Sequence, residues 1–383
     1  MSGSGVFLAQ GDIEMVSTFG IEEEFLLIDP LTGFPTGSPQ VMRTLRAAVR
    51  PNFHSSVELL DAQVESSTPV CTSREEAMDS LLAFRSLLAS ASSAAGVRVA
   101  ATGAAPQIPD TPASLTATDR YRKMGRLTGG IAHEQYVNGT HIHVGIPTRD
   151  AGVRVLNGLR PWLALLGAVA ANSPFWRGRD TSFASWRMVH YRRWSVQGCP
   201  PIFADAADYD RRLQGLLETD VVLDAGHVGW AARLSESYPT VEVRIADAQL
   251  EAGDSVLLAT LVRGLVSSLA AAGAAPRPPD PELLDAGLWQ AARFGLGANL
   301  VSHPGGSVPA ASRLAALLDF VAPALEEAGD TEFVAAGIHR VLGGHAGSAA
   351  GSGTGAERQR RAVRQGGEPA LAELFTRSLV LEP

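Results

Sequence analysis

Three glutamates stand side by side, Glu22, Glu23 and Glu24, inside the apolar run FGIEEEFLLID. Glutamate is a weak strand former and adjacent like charges repel, so this placement needs a compensating partner. In an extended chain successive side chains alternate. Glu22 and Glu24 then share one face, while Glu23 joins Ile21 and Phe25 on the other. Two carboxylates on one face can take hard divalent cations, Mg²⁺ or Mn²⁺, whose remaining positions suit water and phosphate oxygens. The plain alternative is a solvated edge strand.

Three further constellations extend the pattern. Glu58 and Glu65 in VELLDAQVESSTP are out of phase on a straight strand and converge only across a bulge or a bend; otherwise they are ordinary surface acids. In NGTHIHVG, His141 and His143 project to one side with Ile142 between them. They can bind metal, hydrogen-bond a nucleotide or sit as satisfied core histidines. With so many carboxylates elsewhere, an imidazole joining an oxygen-rich site fits better than a zinc centre. In YPTVEVRIAD, Glu242 and Arg244 face one way and Val241, Val243 and Ile245 the other. That face either meets a polyanion with its cations or carries an exposed ion pair worth about 0.5 kcal/mol. Arg233, just upstream, is a further anion clamp. The arginine- and aromatic-rich stretch holding Arg177, Arg179, Arg187, Arg192 and Arg193 either wraps a phosphate or forms ion pairs between subunits.

Such side chains have to be positioned by strands and backed by helices. Patterning predicts strands at Ser17–Ile28, Val57–Ser67, Val97–Thr102, Glu134–Ile146, Gly229–Leu234 and Thr240–Asp247. Helices are predicted at Pro39–Val49, Met78–Ala95 behind a Ser73/Glu76 capping box, and from Thr118. A long helix from Thr148 should divide at Pro161. Later helices are expected at Asp205–Leu217, Ser255–Ala272, Pro281–Phe294, Ala310–Val321 and Ala324–Ala336. Gly343–Gly355 is costly to order, and Arg358, Arg360, Arg361 and Arg364 follow it. Residues 343–364 therefore read as a mobile Gly-rich, basic segment within a single catalytic domain spanning 1–383. No Gly-x-Gly-x-x-Gly turn follows a strand and no Walker-type GKS or GKT occurs. The expected fold class is α+β, an open antiparallel sheet with helices on one side.

Composition narrows the function further. Against 40 acidic side chains there are 32 basic ones, a net charge of −8, which weighs against nucleic-acid binding. Cys71 and Cys199 are too few for a disulfide scaffold. The apolar stretch Val256–Ala275 is interrupted by Arg263, Ser267 and Ser268 and reads as a core helix, with no membrane partner expected. The N-terminus lacks a basic start before an apolar run, so a cytoplasmic protein is expected.

Taken together, FGIEEEF, VELLDAQVESSTP, NGTHIHVG, YPTVEVRIAD and the late AERQR resemble the glutamate–cysteine ligase type 2, or carboxylate-amine ligase, family across essentially the whole chain. The resemblance implies a glutamine-synthetase-like catalytic domain, a curved antiparallel sheet with flanking helices whose concave face holds ATP, Mg²⁺ or Mn²⁺, and small carboxylate and amine substrates. By motif, Glu22, Glu24, Glu58, Glu65, His141 and Glu242 look like metal-site residues. Arg244 looks like the phosphate-side arginine, with Arg233 beside it. His143, Gln135, Asn138, Arg358 and Arg360 look like cofactor-pocket residues. The implied activity is ATP-dependent amide formation through an acyl phosphate, and a homo-oligomer, a dimer first, is implied. Thr140 stands where relatives often carry cysteine, and Ala231 where they often carry aspartate, so glutamate plus cysteine is one substrate expectation among several. Phosphoryl transfer to a small guanidino or amine compound, or nucleotide sensing without catalysis, remain alternatives.

Overall fold

The computed structural model describes residues 18–47, 54–272, 279–302, 306–343 and 351–380. At its centre is a seven-stranded antiparallel sheet: β1 (Phe19–Ile28), β2 (His54–Val57), β3 (Gln63–Ser67), β4 (Arg98–Ala100), β5 (Gly139–Gly145), β6 (Ala232–Leu234) and β7 (Thr240–Asp247). The order is β6-β7-β5-β1-β3-β2, with β4 pairing the far half of β1 at Leu26–Ile28. Register places Glu22 opposite His141, Glu24 opposite Glu65, and Glu242 between His143 and Arg233. Four segments distant in sequence thus present one continuous polar face.

Alternation sends Phe19, Ile21, Ile142, Val144, Val241 and Val243 to the opposite face, where they join the main core. The helices are α1 (Pro39–Ala47), α2 (Arg74–Ala94), α3 (Asp119–Thr128), α4 (Arg149–Leu159), α5 (Leu163–Val169), α6 (Trp186–Tyr191), α7 (Ala206–Glu218), α8 (Ala252–Ala271), α9 (Pro281–Phe294), α10 (Ala310–Glu327), α11 (Thr331–Gly343) and α12 (Gly355–Leu379). The capping box at Ser73 and Glu76 forms as expected, and Pro161 sits in a 3₁₀ turn dividing α4 from α5. Helix α8 is long and apolar enough to cross a membrane. It is instead buried against the sheet, with Arg263 bonded to Asp330 and lying over the Phe19 ring.

Four expectations change. The single strand Val57–Ser67 is a hairpin, β2 and β3, because the chain turns at Leu60–Ala62. The strand Glu134–Ile146 begins only at Gly139, since Gly129–Glu134 winds into a 3₁₀ turn. Pro323 does not separate two helices. It lies on the exposed side of α10, where the carbonyl it frees can be hydrated, and the break falls at Gly329, whose φ of 70° suits glycine. Residues 355–364 of the proposed arm are the first turns of α12, opened by a Thr354/Glu357 capping box; residues 344–350 lie outside the described set.

Glu23 shows why the third acid of the triplet is tolerated. It points into the helical layer and is buried, as is Arg85 of α2. Arg85 donates to both Glu23 oxygens at 2.6 and 2.9 Å and to the carbonyls of Gln249 and Leu250. Ser255 of α8 donates to the same carboxylate. This cluster ties β1, α2 and α8 together. Arg85→Met should destabilise the protein by about 3–5 kcal/mol in urea unfolding, because it strands a buried carboxylate, and Glu23→Leu in the same chain should recover most of the loss.

Candidate active site

The polar face of the sheet forms the floor of a cleft with an open volume of ≈ 1090 Å³, part of it continuous with solvent. Within it the donors divide into two groups, each with ligand atoms within 4.8 Å of one another: Glu22, His143 and Glu242, and Glu24, Glu58 and Glu65. The hairpin bend resolves the phase problem of Glu58 and Glu65. Glu58 sits where β2 ends, Glu65 is on β3 directly across from Glu24, and the three carboxylates meet.

His141 lies between the groups, its Nδ1 3.3 Å from Glu22 and its Nε2 3.7 Å from Glu24. Burial, reinforced by the charge of Arg244, pushes its pKa down to about 4, so the ring is neutral. The imidazole grouped with Glu22 and Glu242 is that of His143, whose Nδ1 lies 3.0 Å from the Thr240 hydroxyl. The His141 Nε2 atom is buried without a hydrogen-bond partner, and the His143 Nε2 atom lies 3.4 Å from Glu22. Buried carboxylates beside an orphaned imidazole nitrogen fit an oxygen-rich pair of divalent-cation positions with nitrogen at the margin.

Electrostatics separate the two groups. Burial raises the pKa of Glu242, but Arg244 and Arg233 outweigh it and hold the carboxyl well below its ordinary range. Glu22 is likewise held low against burial, by hydrogen bonds to His141 and His143. The second group has fewer counter-charges. Burial pushes Glu24 up to about 7, with Arg187 opposing and Glu65 reinforcing the shift. Burial and the Glu24 charge bring Glu58 to about 7, and Glu65 is raised well above its usual value by burial and Glu58. Carboxylates in this state are a charge deficit waiting for cations.

Alternation already puts Arg244 on the face of Glu242, and β7 bulges just there. Val243 pairs with Ile142 and Ala246 with Thr140, so Arg244 and Ile245 together oppose the single residue His141. The Arg244 amide donates to Ala231, and its guanidinium binds Glu242 beside the first group. Arg233 serves differently. Its Nε donates to Glu242 at 2.7 Å, and its Nη1 donates to the carbonyls of Ala225, Gly226 and Val228. It is a positioning residue that fixes Glu242.

Gln135 lines the cleft and accepts from Trp194. Three other expected pocket residues do not. Asn138 is fully buried, bonded to Gln63 and to the carbonyl of Thr102, because it fastens β5 to neighbouring loops. Arg358 is held by Glu251 and Asp254 at the start of α8, and Arg360 by Asp180 and the carbonyl of Phe183. Intrachain acids consume both guanidinium groups. The same holds for Arg177 with Asp110 and Glu134, Arg192 with Asp285, and Arg193 with Glu134. Residues the sequence did not single out also line the cleft, notably Arg120, Tyr121 and Tyr191. Arg187 is buried with its Nη2 against the backbone of Gly139, where a Cβ would lie 2.4 Å away. Only the glycine in NGTH hinted at such a close approach.

Divalent-cation binding should release protons. Below about pH 7 the Glu24 group retains protons that a cation must displace, so apparent Mn²⁺ affinity should rise about tenfold or more between pH 6 and 8. The raised folded-state values also mean that stability present at lower pH is lost as pH climbs through about 7, which bound cation should offset. Isothermal titration in buffers of different ionisation heat would read the proton release. A pH-independent affinity would contradict direct ligation by this group.

Residues 18–369 match glutamate–cysteine ligase family 2. The chain is 42% identical over 351 residues to a Nocardia farcinica protein named "Putative glutamate–cysteine ligase 2-1", covering 90% of this chain and 88% of that one. Among solved structures, a glutamate–cysteine ligase from Francisella tularensis in complex with AMP superposes with a TM-score of 0.70, covering 96% of this chain and 89% of that one at 13% identity. A bifunctional glutathione synthetase from Pasteurella multocida gives 0.66 at 14% identity, covering 95% and 52%. These last two similarities establish the α+β fold. The sequence match establishes the family: the chain belongs to glutamate–cysteine ligase family 2, the ATP-dependent carboxylate–amine ligases.

Proposed function

We propose that this ligase joins a small carboxylate to a small amine through an acyl phosphate formed over the paired donor groups of the sheet. The observation that carries the reading is the arrangement of Arg244 and Glu242 beside Glu22 and His143, next to the proton-retaining trio Glu24, Glu58 and Glu65. Glu22, His143 and Glu242 would hold one Mg²⁺ or Mn²⁺ and the trio a second, with neutral His141 between them. Bound there, such cations neutralise charge on triphosphate and carboxylate oxygens.

The protein's own groups do the remaining work. ATP and a carboxylate repel one another, and the guanidinium of Arg244 supplies directional donors to the phosphoryl group as it moves. Burial works to lower the pKa of Arg244, but its pairing with Glu242 and its contact with Tyr191 outweigh that and raise it, so it stays charged throughout. Arg233 keeps Glu242 ionised and fixed. A carboxylate oxygen attacks the γ-phosphorus as the bond to ADP breaks. The amine nitrogen then attacks the acyl carbon, the C–N bond forms, phosphate leaves, and an amine proton passes to phosphate or water.

Arg244→Ala should lower kcat about 10²–10³-fold, and Arg244→Lys should recover only part of it, since a point charge cannot reproduce the planar donor pair. ADP release with saturating ATP and Mn²⁺ measures this; near-normal turnover would remove Arg244 from the reaction. A homodimer is the proposed assembly, supported by β2, a strand at the sheet edge with alternately exposed residues. Light scattering should return twice the 40.2 kDa chain mass, and a monomer would refute it.

A further inference from the structure

A second pocket opens from the cleft behind Arg244, and its chemistry is the reverse of the cleft's. The two share Tyr191, Gln197 and Arg244. The side pocket is walled by Met188, Ile245, Leu288, Trp289, Ala292 and Ala231. The cleft contains five glutamates; among the described residues lining the side pocket there is no acid. Its charged groups are arginines. Arg187 donates to the carbonyls of Ile245 and Arg244, its Nε without an acceptor, and Arg192 is engaged by Asp285.

Ala231 keeps this space open. Its carbonyl accepts the Arg244 amide at 2.8 Å, so its methyl sits beside the strand that carries the phosphate-side arginine. Trp289 forms the outer rim, 49% exposed and edge-on to Phe183 at 5.8 Å and Phe294 at 6.3 Å. Met188, unbranched and adaptable, also lines the pocket.

We propose that this pocket receives the apolar tail of the donor carboxylate, whose carboxyl group reaches Arg244 in the cleft, so that the enzyme activates short aliphatic or aryl carboxylates in preference to glutamate. The assignment rests on the ligase reading and narrows it. A hydrocarbon tail buries against the apolar wall and leaves nothing unpaired. Glutamate in the same place would turn its α-ammonium toward Arg187 and Arg244, with no acid among the described residues lining the pocket and the neighbouring Glu242 already paired with Arg244 and Arg233, and desolvating a cation beside cations is unfavourable. The carboxylate end, by contrast, is attracted by both guanidinium groups.

The test uses the full chain with ATP, Mn²⁺ and hydroxylamine as a minimal amine, reading hydroxamate and ADP for acetate, hexanoate, phenylacetate and glutamate. Hexanoate or phenylacetate should exceed glutamate in kcat/KM by about tenfold or more, the scale of a few buried methylenes. Ala231→Leu fills the pocket and should lower the hexanoate-to-acetate ratio of kcat/KM about tenfold. Trp289→Ala, at an exposed position less exposed to folding failure, should lower the phenylacetate-to-acetate ratio. Saturable quenching of tryptophan fluorescence by phenylacetate without ATP, lost in Trp289→Ala, gives a readout independent of turnover. Preference for glutamate over every apolar donor, or unchanged ratios in both variants, would overturn the pocket assignment while leaving the ligase reading intact. Absence of ADP and hydroxamate with all donors would instead defeat the ligase reading, and absence of phenylacetate quenching would defeat the pocket separately.

Discussion

Five carboxylates on one face of a sheet cannot all be ionised and buried unless positive charge is brought to them. The rest of the fold answers that constraint. Arg233 and Arg244 neutralise Glu242, the two histidines hydrogen-bond Glu22, and the remaining trio, Glu24, Glu58 and Glu65, is left with raised pKa values. The uneven distribution gives the cleft a direction. One end carries fixed protein cations beside ionised acids, and the other carries buried carboxyls held near neutrality.

Rigid backing makes this arrangement tolerable. The face opposite the acids is covered by α2, α4, α5 and α8 through a continuous apolar core. Glu23, buried on that face, is matched by Arg85 with hydrogen bonds on both oxygens. Such a pair adds little net stability over an apolar replacement, but losing one partner is expensive. It therefore couples β1 to the helices that hold its register, and the register decides whether Glu22 and Glu24 meet His141 and Glu65.

The arginines divide into those that meet the cleft and those that build its surroundings. Arg244 borders the open space, Arg233 spends its donors on Glu242 and three carbonyls, and Arg358 and Arg360 close ion pairs elsewhere in the tertiary structure. A basic cluster in sequence consequently says little about phosphate binding until the acids that meet it are known. The side pocket makes the complementary point. Its apolar walls come from α6, α9 and β7 with Ala231, elements that only folding brings into one place.

Much of the site was legible because strand alternation is local. FGIEEEF, THIHV and TVEVRIAD each declare which residues share a face, and the boundaries of β7 and α9 follow from patterning alone. The hairpin between β2 and β3, the bulge of β7 opposite His141, and the partners of Asn138, Arg358 and Arg360 were decided only in three dimensions. Each depends on contacts between segments far apart in the chain, and a one-dimensional pattern contains no term for them. So the sequence by itself determined which chemistry was present, whereas the tertiary structure decided how the donors divide between two groups and which cations are already occupied, because electrostatic energy depends on distance through space.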